Sequence, residues 1–161
     1  MSSRDPVLIL ASTSTYRANL LDRLRIPFET SAPAVDESRL PNETFNIMAG
    51  RLSQAKARAI RHSNALIIVS DQVAVVGDQQ LHKPGCVNRA VEQLEMISGR
   101  TVYFYTGVSL WNTAADRCPT KDVQYKVTLR DLHRHEIEAY VAADSPLDCA
   151  GACKWERLGI S

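Results

Sequence analysis

The sequence has neither an excess of charge of one sign nor a long apolar run, and each absence excludes a class of protein. Lys and Arg total 19 and Asp and Glu total 18, so the formal net charge at pH 7 is +1. Such a balance lacks the basic field of a protein that coats DNA, and we expect no nucleic-acid partner. No apolar run approaches the roughly 20 residues that span a bilayer, and no apolar signal segment opens the chain. We therefore expect no membrane partner and a cytoplasmic location.

The sequence also lacks the spacings of common metal and nucleotide motifs. Its four cysteines are Cys86, Cys118, Cys149 and Cys153. They form no CxxC pair, which excludes a structural zinc site and favours reduced thiols. Neither GxxxxGK[ST] nor GxGxxG occurs, so a P-loop is excluded and the usual signal of a dinucleotide-binding enzyme is missing. GxSxG and HExxH are absent as well.

What remains is the composition of an ordinary globular protein. With 161 residues, 45% hydrophobic and 23% charged, the chain is predicted to form one domain over residues 1–161. Short apolar runs alternate with helical periodicity, which indicates an α/β fold. The predicted strands cover residues 7–11, 28–32, 65–69, 73–76, 79–81, 101–111 and 122–129. The predicted helices lie between the hydroxyl-rich residues 12–15 and Pro27, and over residues 44–62, 88–98 and 134–143.

Polar segments follow three of the predicted strands, at residues 12–17, 35–37 and 70–72. Open α/β sheets generally bind ligands at such places. Cations from these and other segments would suit a phosphate chain, and carboxylates would suit a hard divalent cation or a water molecule. The cations are Arg17, Lys56 and Lys83, and the carboxylates are Glu37 and Asp71.

Each of these residues also has a plain structural interpretation, and the sequence leaves both open. A Ser/Thr cluster before a helix is usually only a cap, and Asp71 at a strand end often makes a turn. Asp36 and Glu37 are typical of a solvated acidic pair, and Lys83 of a loop. Lys56 lies at the edge of the apolar face of its helix, so it either extends to solvent or serves as one of the cations for a phosphate chain. That apolar face carries Phe45, Met48, Leu52, Ala55 and Ala59, and the solvent face carries Arg51, Gln54, Arg58 and Arg61.

A series of short motifs runs along nearly the whole chain. They are LILASTS at residues 8–14 with Arg17, PAVDE at 33–37, QAKA at 54–57, SDQ at 70–72, KP at 83–84, SG at 98–99, TGV at 106–108 and CAG at 149–151. In this order they resemble the motifs of the Maf family of nucleoside triphosphate pyrophosphatases. The resemblance implies a twisted mixed central sheet flanked by helices, as in Maf and ITPase proteins, with a cleft between two lobes. It also implies a homodimer.

The resemblance further implies a reaction and a role for each motif residue. Gln72 and Glu156 resemble the residues found at these positions in the subgroup that hydrolyses 7-methyl-GTP. The products of that reaction are the nucleoside monophosphate and pyrophosphate, and the reaction clears modified nucleotides. Asp71 would be the base that activates water. Tyr16 would either stack on the methylated base through a cation–π contact or pack in the core. By the same resemblance, Ser12, Arg17, Lys56 and Lys83 would bind the phosphates, Gln72 and Glu156 would bind the guanine edge, and Glu37 with Asp71 would hold Mg²⁺ or Mn²⁺.

The chain departs from the family pattern at several positions. Thr15 replaces a usual Pro, Ala18 a common Arg, His82 a usual Gly and Trp155 a small residue. The resemblance implies a further closing strand and helix beyond residue 160, so a C-terminal segment is expected to be missing. Two alternatives stay open: a non-catalytic nucleotide-binding protein linked to septum formation, and a pyrophosphatase for pyrimidine nucleotides.

Overall fold

The computed structural model describes residues 5–154 and 157–160. The strands are β1 (Val7–Ala11), β2 (Glu29–Ser31), β3 (Ala65–Val76), β4 (Gln79–Leu81), β5 (Thr101–Asn112) and β6 (Thr120–Thr128). The helices are α1 (Thr15–Asp22), α2 (Phe45–Ala59), α3 (Val87–Ile97) and α4 (Arg134–Asp144), followed by a 3₁₀ turn at Leu158–Ile160. Across the described residues, no helix combines the length and the apolar character that crossing a bilayer requires.

The sheet is mixed, as predicted. Its strand order is β2-β1-β3-β5-β6, and β4 pairs with β3. β1 is parallel to both β2 and β3, whereas β3 and β4 are antiparallel. The predicted α/β class, with a mixed sheet flanked by helices, is therefore confirmed. The cleft between two lobes and the homodimer stay predictions.

The chain forms two compact units, each with its own apolar cluster. The first unit contains the residues up to Gln72 together with Thr106–Val123, and the second contains Val73–Tyr105 with the residues from Gln124 onward. In the first unit, α2 packs on β1 and β3 through Ile9, Ala11, Ala57, Ile60, Ala65, Ile67 and Val69. In the second, α3 and α4 contribute Ala90, Val91, Leu94, Ile97, Ile137 and Val141 to a cluster that also includes Val102 and Phe104.

Strand β3 differs from the prediction. Two strands separated by the polar residues 70–72 were expected, but one strand runs from Ala65 to Val76. The expectation that Asp71 follows the end of a strand is therefore wrong. Side chains alternate between the two faces of a strand, and residues 65, 67, 69 and 71 are all buried, so Asp71 continues an inward-facing row. Because Leu10 pairs with Ile68, β3 extends past the carboxyl end of β1, and Asp71 lies beyond that end.

Helix α2 presents a different face to the core from the one predicted. It spans Phe45–Ala59 rather than residues 44–62. Its buried residues are Met48, Ala49, Gly50, Leu52, Ser53, Lys56 and Ala57. The buried face of α2 is therefore rich in small side chains, which allow the helix backbone to approach the sheet closely. Lys56 lies among these buried residues rather than at their edge.

The close approach of α2 to β5 depends on Gly107. A Cβ atom at Gly107 would lie 2.5 Å from the Ala49 carbonyl oxygen and 2.8 Å from the Gly50 Cα atom. Next to this contact, the Ser53 and Ser109 hydroxyls form a 2.7 Å hydrogen bond. The neighbours of Gly107 are helix backbone, which cannot rotate away as a side chain can. Close packing against the helix backbone therefore explains why the central residue of the TGV motif is glycine.

We expect Gly107→Ala to lower the free energy of unfolding by about 2–3 kcal/mol, because the methyl group overpacks a backbone contact. Urea denaturation measures the change as a lower midpoint with an unaltered slope. The matched control is Gly50→Ala at the same contact. Its Cβ would meet the Asp122 carboxylate, at 2.7 Å, a side chain that can turn away. Alanine also favours a helix more than glycine does, so the control should change stability by less than about 1 kcal/mol. Equal losses in both variants would contradict this account.

Candidate functional site

Lys56 joins two carboxylates in the first unit. Its ammonium group donates a hydrogen bond to the Asp71 Oδ1 atom, and it lies 2.8 Å from the Glu37 Oε1 atom. Lys56 is 9% exposed and Asp71 is 6% exposed, whereas the Glu37 side chain is 61% exposed. Lys56 therefore meets a buried partner rather than extending to solvent alone. Because burying an unpaired charge is costly, the Asp71–Lys56 pair stabilises the inward position of both groups.

Arg17 lies near the same two carboxylates. The Ser14 side chain caps α1 by accepting a hydrogen bond from the Arg17 backbone N–H at 3.4 Å. Two residues before that cap, the Ser12 hydroxyl accepts a hydrogen bond from the Arg17 guanidinium Nη1 atom, also at 3.4 Å. Burial lowers the pKa of Arg17, and the negative charges of Asp71 and Glu37 act in the opposite direction. The hydroxyl-rich segment is thus both a helix cap and a support for a cation.

The charges of this cluster sum to zero before any ligand binds. Arg17 and Lys56 carry one positive charge each, and Glu37 and Asp71 one negative charge each. A triphosphate alone would therefore meet cations and carboxylates in equal number. A divalent cation on the carboxylates would make the cluster positive, which suits a polyanion.

The donor set of the cluster fits a hard cation. Two carboxylates approach one point, the Lys56 ammonium nitrogen. Among the described residues, no group of three or more His, Cys, Asp and Glu side chains is placed to hold a metal ion. Mg²⁺ usually takes one or two protein carboxylates and completes its shell with water and phosphate oxygens, and Mn²⁺ favours the same ligands. Glu37 and Asp71 match that requirement better than the closed four-ligand shell of structural zinc.

Gln72 and Tyr16 are each next along the chain to a residue of this cluster, Gln72 after Asp71 and Tyr16 before Arg17. Gln72 follows Asp71 on β3, so its side chain points to the opposite face of the strand. It is exposed, and its amide Nε2 atom donates a 3.0 Å hydrogen bond to the Thr106 hydroxyl of the TGV motif. Tyr16, in the first turn of α1, is 39% exposed. The alternative that Tyr16 is a core aromatic is therefore wrong.

The structure thus brings together five of the predicted residues: Ser12, Arg17, Glu37, Lys56 and Asp71. Lys83 is exposed and follows β4 in the second unit. Glu156, like Trp155, lies outside the described residues. The catalytic and binding roles of all these residues stay predictions.

Sequence reasoning missed a partly buried ion pair between Arg51 and Glu43, next to this cluster. The helical periodicity predicts Arg51 on the solvent face of α2, but its guanidinium binds Glu43, whose side chain is 4% exposed. The distance from Nε to Oε1 is 2.5 Å, and that from Nη2 to Oε2 is 2.9 Å. Glu43 precedes the helix by two residues and is eight residues from Arg51, so no helical spacing relates the two. Only the bend of the chain before α2 brings them together.

Comparison with known proteins agrees with the order of the motifs. The profile of a family described as "Maf-like protein" matches residues 7–161. The chain is 48% identical over 163 residues to a 7-methyl-GTP pyrophosphatase of Thiobacillus denitrificans, a match that covers 100% of this chain and 81% of the relative. A 7-methyl-GTP pyrophosphatase of Pseudomonas putida is 49% identical over 156 residues, with 96% and 81% covered. One from Pseudomonas aeruginosa is 46% identical over 158 residues, with 97% and 82% covered. The chain spans about four-fifths of the length of these relatives.

Proposed function

This chain belongs to the Maf family, and we propose that it hydrolyses 7-methyl-GTP to 7-methyl-GMP and pyrophosphate. The observation that carries the proposal is the buried Asp71–Lys56 pair with Glu37 and Arg17 beside it. Such a cluster has the charges that hydrolysis of a phosphoanhydride requires. The names of the relatives support this substrate, so neither pyrimidine nucleotides nor a non-catalytic role is favoured. Removal of a modified nucleotide from the pool would follow.

Asp71 is the proposed general base. Its carboxylate would accept the proton of the water molecule that attacks the α-phosphorus, and the bond from that phosphorus to the bridging oxygen would break. Pyrophosphate would leave with the electron pair of that bond. Asp71 suits this role because β3 and Lys56 hold its position, whereas Glu37 is largely exposed. A fixed base lowers the entropic cost of orienting the water molecule.

Arg17 and Lys56 are the proposed phosphate ligands of the first unit. Their positive charges would stabilise the oxygens on which negative charge increases during the reaction. Arg17 presents a planar guanidinium whose orientation the Ser12 hydroxyl supports. Lys56 would contact the substrate from beside the base. Lys83 remains the proposed third cation because it matches the KP motif.

Glu37 and Asp71 are the proposed ligands of a divalent cation, Mg²⁺ or Mn²⁺. When bound, the cation would supply positive charge to the phosphate oxygens. Glu37 would hold it with a largely exposed carboxylate and Asp71 with a buried one, and Lys56, which contacts both, would add its own positive charge at the phosphate oxygens.

A nucleotide panel tests the proposed function. With Mg²⁺ present, pyrophosphate release should be measured for 7-methyl-GTP, GTP, CTP, UTP and dTTP. We expect kcat/KM for 7-methyl-GTP to exceed each of the others by at least about tenfold, or about 1.4 kcal/mol of transition-state binding. A preference for UTP or dTTP would favour the pyrimidine alternative instead. Binding of 7-methyl-GTP in equilibrium dialysis without any hydrolysis would favour the non-catalytic alternative.

A further inference from the structure

The ion pair between Arg51 and Glu43 organises the irregular segment that carries Glu37. The Glu43 Oε2 atom accepts a hydrogen bond from the Leu40 backbone N–H at 3.1 Å, in addition to the one from Arg51. At the same corner, Arg39 donates to the Glu43 carbonyl oxygen at 2.6 Å and lies over the Phe45 ring, 4.1 Å from its centroid. Residues 39–43 are therefore tied to the start of α2 by charge-assisted hydrogen bonds, which are among the stronger contacts in proteins.

Arg51 also reaches the residue next to Glu37. Its Nη2 atom donates a 3.0 Å hydrogen bond to the Ser38 carbonyl oxygen. The Ser38 backbone N–H and hydroxyl both donate to the Asp36 Oδ1 atom, at 2.9 and 2.6 Å. Glu37 is thus the central residue of the turn from Asp36 to Ser38, and Arg51 binds the carbonyl oxygen at the end of that turn. Its own side chain is largely exposed, so packing contributes little to its position.

One helix supplies both ends of this arrangement. Arg51 and Lys56 both project from α2, a helix of 15 residues. Arg51 holds the backbone beside Glu37, and Lys56 meets the Glu37 carboxylate at 2.8 Å. The separation between the Glu37 and Asp71 carboxylates is therefore set from α2.

We propose that Arg51 and Glu43 are positioning residues, which hold the Glu37 carboxylate beside Asp71 and so raise the affinity of the cluster for a divalent cation. The inference rests on the metal-binding role that the proposed function assigns to Glu37. Without the ion pair, the 36–43 segment would have to be ordered when the cation binds, and the entropy lost would weaken binding. Residues that orient metal ligands typically change metal affinity by about 10- to 100-fold when replaced.

Mn²⁺ titration followed by electron paramagnetic resonance tests the proposal without nucleotide or turnover. Arg51→Lys keeps the charge but removes the two-pronged contact, and Glu43→Gln keeps the shape but removes the charge. We expect each to raise the Mn²⁺ dissociation constant by about tenfold. The matched control is Arg134→Lys, because Arg134 pairs with Glu95 and Glu138 on exposed surface of the second unit. The control should leave the constant within twofold of the parent.

A double-mutant cycle with Glu37→Gln separates positioning from general stability. In the Glu37→Gln background, Arg51→Lys should change the Mn²⁺ dissociation constant by less than twofold, since the ligand it positions is gone. A tenfold loss that persists in that background would overturn the proposal. Failure of both Arg51→Lys and Glu43→Gln to fold, or no measurable Mn²⁺ binding by the parent, would overturn it as well.

The Mn²⁺ measurements and the nucleotide panel together distinguish failure of the positioning proposal from failure of the proposed function. A parent that hydrolyses no nucleotide but shows the expected cycle would overturn the proposed reaction and leave the positioning role supported. If the parent hydrolysed 7-methyl-GTP but the variants kept its Mn²⁺ affinity, the proposed reaction would be supported and the positioning role overturned.

Discussion

Replacement of Asp71 by Asn is expected to lower kcat for 7-methyl-GTP hydrolysis by about 10²- to 10⁴-fold, the usual contribution of a general base. An amide has nearly the same shape as a carboxylate but cannot accept the proton of the attacking water. The Asn oxygen can still accept a hydrogen bond from Lys56, so the variant should remain folded. Pyrophosphate release under saturating substrate measures the effect, and circular dichroism checks the fold.

The matched control for Asp71→Asn is Asp78→Asn. Asp78 is exposed at the turn between β3 and β4, only seven residues along the chain. The same chemical change there should leave kcat within twofold of the parent. If Asp71→Asn retained the activity of the parent, Asp71 would not be the base.

Replacement of Lys56 by Met is expected to lower the free energy of unfolding by about 3 kcal/mol. The substitution leaves the Asp71 carboxylate buried without its direct partner, and an unpaired buried charge is costly. Arg17 is close enough to offset part of that cost. Urea denaturation at neutral pH measures the change. Lys126→Met, at an exposed position of β6, is the control and should change stability by less than about 0.5 kcal/mol.

A second substitution distinguishes charge burial from loss of packing. In Lys56→Met combined with Asp71→Leu, both charges are gone, and an apolar pair often replaces a buried ion pair without loss of stability. We expect this double variant to recover more than half of the stability that Lys56→Met loses, while it remains inactive. If the double variant were as unstable as Lys56→Met, burial of the Asp71 charge would not be the cause.

Local sequence patterns predicted most of the secondary structure. The apolar run at Val7–Ala11 and the periodicity of α3 and α4 each appear where expected, within one or two residues. Gly99 follows α3 with a φ of +66°, the left-handed conformation that glycine adopts at helix ends. These features depend on neighbours within a few residues, so the amino-acid order alone is sufficient to indicate them.

The break predicted at residues 70–72 shows where local reasoning fails. A polar triplet after an apolar run normally indicates the end of a strand. Here β3 continues through Asp71, and Lys56, from another element, compensates the charge of that buried side chain. A residue fifteen positions away therefore decides whether an acidic side chain is tolerated on an inward-facing position. Arg51 and Glu43 are a further case, because nothing in the sequence near either residue indicates that the two form an ion pair.

By itself, the amino-acid sequence determined the alternation of strands and helices and the order of motifs that indicates the family. The tertiary structure alone decided which charged side chains are buried and which partners they meet. It placed Asp71 inside a strand, gave Lys56 two carboxylates, and joined Arg51 to Glu43 and to the Ser38 carbonyl oxygen. The physical reason is that the free energy of a buried charge depends on the distance to its counter-charge in space. Separation along the chain does not specify that distance.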